Sequence, residues 1–97
     1  MTPAIRQALQ QGIEAHRKGN LREAERLYRA VLKIYPKNAE ASHNLGLLAV
    51  AAKKPNIATS LFKTALDADR SVEQYWLSYI TALILSLIHI SEPTRPY

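Results

Sequence analysis

The chain of 97 residues is long enough for one small domain, and at that size only about 60–65% of the unfolded surface can be buried, so packing must be economical. A hydrophobic content of 47% against 22% charged residues excludes the disordered class, and the lack of cysteine excludes disulfides and thiolate metal sites. The net charge of +5 is interleaved with glutamates and has no aromatic stacking platform beside it, which argues against a nucleic-acid partner.

In chain order the sequence predicts five helices and no strand, an all-α class. Met1 to Arg6 lacks the basic flank and apolar core of a secretory signal, so a cytoplasmic location is expected. Thr2 before Pro3 reads as an N-cap with a first-turn proline, and Ile5, Ala8, Leu9 and Gly12 then recur at helical spacing. Lys18-Gly19-Asn20 breaks this helix, and Asn20 with Glu23 three residues on predicts a capping box for the second. Pro36 ends the second helix and Asn38 caps the third. Lys53-Lys54-Pro55 separates the third from the fourth, and Ser71 with Gln74 predicts another box at the start of the fifth.

A repeat of 34 residues underlies this punctuation. It pairs Gly12 with Gly46, Ala15 with Ala49, Ala24 with Ala58, Leu27 with Leu61, Tyr28 with Phe62, and Leu32 with Leu66. A third copy starts where Trp76 follows Ser42, and it stops after one helix. Glycine inside a helix costs roughly 1 kcal/mol relative to alanine, so Gly12 and Gly46 predict a neighbouring helix too close for a side chain. Ala24 and Ala58 play the same part on the second helix of each hairpin, with Tyr28 and Phe62 filling the space beside them.

On these residues the segment from about Ile5 to Leu83 resembles the tetratricopeptide repeat family. Repeat two carries the resemblance best, with Asn44-Leu45-Gly46, Ala58, Phe62 and Ala65 at the family's positions. Repeat one keeps Gly12, Gly19, Ala24, Tyr28 and Pro36 but has Ala8 and Gln11 where tryptophan and leucine are usual. Repeat three regains the tryptophan as Trp76, has Tyr79 and Ile80 for the leucine and glycine, and Arg70 stands where a terminal proline is usual. The resemblance implies antiparallel helix-turn-helix units in a right-handed superhelix, with repeats at about 5–38 and 39–72 and a partial one at 73–84.

Residues 85–95 are similar, residue for residue, to the translation of a transposon-type sequencing adapter. Residues 85–97 are therefore expected to be an artefactual tail, with the natural gene continuing past Leu85 and helix five lacking its hairpin partner. The run from Trp76 to Ile90 is too short, and too often broken by Ser78, Thr81, Ser86 and His89, to span a membrane. An uncapped apolar helix at the end of a stack predicts self-association through helix five.

The resemblance implies a function in binding a protein or peptide, with ligand contacts from the first helix of each hairpin. Those positions are Arg6, Gln10, Ile13 and Arg17, with Leu9 and His16; Glu40, His43, Asn44 and Leu47, with Val50; and Gln74 and Ser78, with Leu77 and Thr81. Asn44 is the sharpest candidate, because an amide can both donate to and accept from a peptide backbone. Gln10 and Ser78 hold the equivalent places, so an asparagine ladder like that of the family's sugar-transferase members is incomplete. A carboxylate clamp would need lysines and asparagines where Leu9, Ile13, Gln74 and Ser78 stand.

Arg22, Arg26, Arg29 and Lys33 form a stripe on helix two that reads as a solvated face, with Glu25 placed to pair with Arg29. His16 and His43 have no third ligand at metal spacing, and Asp67 with Asp69 reads as turn and capping chemistry. With no phosphate loop, HExxH or nucleophile elbow, neither a catalytic site nor a cofactor is expected. A second reading makes the segment the N-terminal arm of a larger enzyme, such as a bacterial glycosyltransferase or sulfotransferase with similar repeats.

Overall fold

A computed structural model of the chain describes residues 1–91, and side chains through residue 88, as five α-helices: α1 (Pro3–Arg17), α2 (Leu21–Ile34), α3 (Ala39–Ala51), α4 (Pro55–Ala68) and α5 (Glu73–Ser91). The ends follow local chemistry. Thr2 Oγ1 accepts from the Ile5 N–H, with Pro3 in the first turn. Asn38 Oδ1 accepts from the Ala41 N–H at 2.8 Å, and the chain leaves α2 at Tyr35, just before Pro36.

Two expected capping boxes do not form. Asn20 makes no side-chain cap bond, and the Glu23 carboxylate that would complete the box is held by Arg26 through a two-point contact at 2.8 and 2.6 Å. Ser71 instead donates its N–H and its hydroxyl to Asp69, while Gln74 turns to Ser78. A short acidic side chain in a turn competes well for nearby donors.

Helix α1 packs against α2, α3 against α4, α2 against α3 and α4 against α5, so two hairpins and the first helix of a third follow one another. The repeat positions explain the approach. A Cβ on Gly12 would meet Tyr28 Cε1 at 2.9 Å, and one on Gly46 would meet Phe62 Cδ1 at 2.6 Å. Ala24, Ala58 and Ala65 are fully enclosed, as is Tyr28, and Leu9, Val31, Ala41, Leu45 and Leu48 complete the first core. A second cluster joins Ala58 and Phe62 to Ala82 of α5, with Ala49, Val50 and Tyr79 against it.

Helix α5 crosses the boundary expected at residues 84 and 85 without interruption and runs on to Ser91. No glycine or proline stands in this stretch to stop it, whatever the origin of its residues. The remainder of the expected tail, residues 92–97, lies outside the described residues.

Candidate ligand-binding face

At about 100° per residue, Arg6, Gln10, Ile13 and Arg17 lie roughly 100–160° around the axis from Gly12. Glu40, Asn44 and Leu47 stand in the same relation to Gly46. Since each glycine faces the second helix of its own hairpin, these side chains turn away from it. Arg6, Gln10, Arg17, Glu40, Leu47 and Gln74 are exposed, and Ile13 and Asn44 are half-buried. The surface they make is mixed: apolar at Ile13, Leu47 and Leu77, amide-bearing at Gln10, Asn44 and Gln74, and charged at its edges.

Several expected members of this face are engaged elsewhere. Leu9 is a core residue. His16 turns toward α2, where its Nδ1 lies 3.2 Å from the Tyr28 hydroxyl and the two rings meet edge to face. His43 and Ser78 do not stand open to a ligand, since they are 8% and 6% exposed and bonded to each other, His43 Nε2 to Ser78 Oγ, at 2.8 Å. Their register puts them near the groove. The next first helix, α5, closes over them.

Electrostatics separates a charged exterior from a neutral interior. Arg26 pairs with Glu23 and Arg29 with Glu25 at 2.9 Å, which neutralises locally two of the four basic groups of the α2 stripe. Arg17 is tied to Glu14, and the hydrogen bond from Arg17 holds the Glu14 carboxyl below its usual pKa. Asp67 takes Lys63 at 3.2 Å and Arg70 at 3.1 Å, and Asp69 serves the turn, so both carboxylates have the structural roles expected of them. Inside, burial pushes the Tyr28 hydroxyl up to about 12, with Glu40 adding to the shift, and burial lowers the pKa of His43.

Among the described residues no three metal-ligating side chains converge, and no helix is long and apolar enough to cross a membrane. The recesses between elements are framework features. One lies among Leu45, Leu48, Ala49, Ile57 and Leu61, and another, mainly apolar, lies beside Met1, Ile34, Tyr35 and Pro36.

A search of curated proteins found no match to the chain. The family comparison did: the tetratricopeptide repeat profile matches residues 15–80, which begins in α1 and ends in α5. With glycine-to-ring contacts repeating at 34 residues and helices pairing in sequence, the chain belongs to the tetratricopeptide repeat family, whose domains serve protein interaction.

Proposed function

We propose that the exposed rows of α1, α3 and α5 form one surface that receives an extended peptide or a segment of a partner protein. The observation carrying this reading is the pairing of amide and apolar groups along successive first helices, Gln10 with Ile13 and Asn44 with Leu47 in register, and Gln74 with Leu77 one turn earlier on α5. Amides satisfy a peptide backbone, and the apolar neighbours take its side chains. Asn44, half-buried at the middle of the row, is the anchor. A peptide-library pull-down tests the idea: Asn44→Ala and Leu47→Glu should each reduce the captured set, and retention of the full wild-type set by both would remove this face from consideration.

A second surface has its own support. On α5, Trp76, Ile80, Leu83 and Leu87 are 40%, 47%, 39% and 63% exposed, on the side that α2 and α4 cover in the preceding hairpins. This side supports association of two copies through α5.

A further inference from the structure

His43 joins two helices that otherwise touch only lightly. Both α3 and α5 pack extensively on α4, yet meet each other over a short stretch. Within it His43 Nε2 stands 2.8 Å from Ser78 Oγ, and the imidazole is flanked by Phe62 at 5.3 Å and Tyr75 at 4.9 Å between ring centroids. Ser78 also accepts from Gln74 Nε2 at 3.3 Å. With one hydrogen and two lone pairs, the Ser78 hydroxyl can complete the bond to neutral His43 in either tautomer.

Protonation leaves the ring two donors and no acceptor, so Ser78 could then only accept from Nε2–H. The new charge would also sit in a buried site beside two aromatic rings, where desolvation penalises it. We propose that His43 and Ser78 form a proton-sensitive latch between α3 and α5, closed while the imidazole is neutral and weakened when it takes up a proton.

The surrounding charges do not cancel the effect. Glu40 lies one turn back on α3, Asp69 follows α4, and Glu73 heads α5. Glu40 and Asp69 act on the Tyr75 hydroxyl, and none of the three is bonded to His43; the neighbouring Asn44 side chain favours the protonated ring, against the larger opposing effect of burial. Because burial sets the pKa of His43 below its ordinary 6.5, the open form binds the proton more readily than the closed one. The latch therefore contributes fully above pH 6.5 and loses its contribution as the pH falls from there toward the lower closed-state value. Asn44 and Leu47 on α3, and Gln74 and Leu77 on α5, would separate as it opens. That consequence for binding rests on the proposed function, but the latch itself does not.

The absence of cysteine makes a direct test simple. Ala51→Cys on α3 and Thr81→Cys on α5, both exposed positions, accept a pair of spin labels, diluted with unlabelled chain. Pulsed EPR without any ligand should give a narrow distance distribution at pH 7.5 that lengthens and broadens by pH 5.0, with helix content followed by circular dichroism. His43→Gln keeps a neutral acceptor for Ser78 and should show no such shift. An unchanged wild-type distance would overturn the latch, and so would an equal change, or an equal loss of helix, in His43→Gln, since acid would then be acting elsewhere.

Discussion

Lys53 has a positive φ of 62°, a conformation in which a β-carbon is strained. It closes α3 as Gly19, 34 residues earlier and at φ 83°, closes α1, and the same bonds recur: Asn20 N–H to Ala15 O at 2.8 Å, and Lys54 N–H to Ala49 O at 2.9 Å. Left-handed backbone costs a non-glycine residue about 1–2 kcal/mol, so Lys53→Gly should raise unfolding stability by about 1 kcal/mol in urea titration. The helical glycines act in the opposite sense. Gly46→Ala drives a Cβ into the ring of Phe62, which is enclosed, and should destabilise by about 1–3 kcal/mol. At Gly12 the clash is milder, and roughly 1 kcal/mol of helix propensity offsets it, so Gly12→Ala should cost clearly less. Equal costs in the same titration would mean that the two interfaces are not graded as their contacts imply.

At the scale of the element, caps that the sequence makes look equal are unequal. Asn38 holds the Ala41 N–H at 2.8 Å and Asn20 holds nothing, so Asn38→Ala should cost about 1 kcal/mol and Asn20→Ala only a few tenths. Paired thermal melts of the two variants check this difference. What the sequence made legible and what it hid divide along the same line. Gly12 with Tyr28 and Gly46 with Phe62 were readable because a steric requirement recurs at a fixed interval and only a few residue types satisfy it. The failed box at Asn20 was not, since Arg26 competes for Glu23 through a rotamer choice that spacing leaves open. Lys53 in a glycine position was equally hidden, because lysine carries no mark of the φ it is made to adopt. His43 and Ser78 hold groove positions by register, and only the angle at which α5 settles on α3 and α4 shows that they face each other. The exposed rows from Arg6 to Arg17 and from Glu40 to Leu47 were predictable, since helical period alone sets which side chains oppose the glycines.

Over the whole molecule the stack is elongated, 52 × 29 × 20 Å, with a radius of gyration of 14.4 Å where a compact domain of this length has about 13 Å. Helices that follow one another cover each other in turn, so the uncovered face gathers at α5. Trp76, Ile80, Leu83 and Leu87 recur there at spacings of four, three and four, the seam that lets two helices interlock. Ile80 occupies the place of Gly46, so a partner helix would sit at ordinary packing distance and not at the close approach Phe62 makes. Pairing two copies would bury eight side chains already half-covered, at about 1 kcal/mol each or roughly 8 kcal/mol together. Association itself costs at least about 4 kcal/mol, which leaves a dissociation constant near millimolar, tightened toward micromolar if Leu77, Ile84 and Ile88 at the flanks join in. Sedimentation equilibrium should therefore show a mass that rises with loading concentration, and Ile80→Glu should return it to that of one chain. A single-chain mass for the wild type at millimolar loading would mean that the seam stays unpaired. An unchanged rise in Ile80→Glu would place the contact on another face, with the apolar recess beside Met1 and Ile34 the next to test.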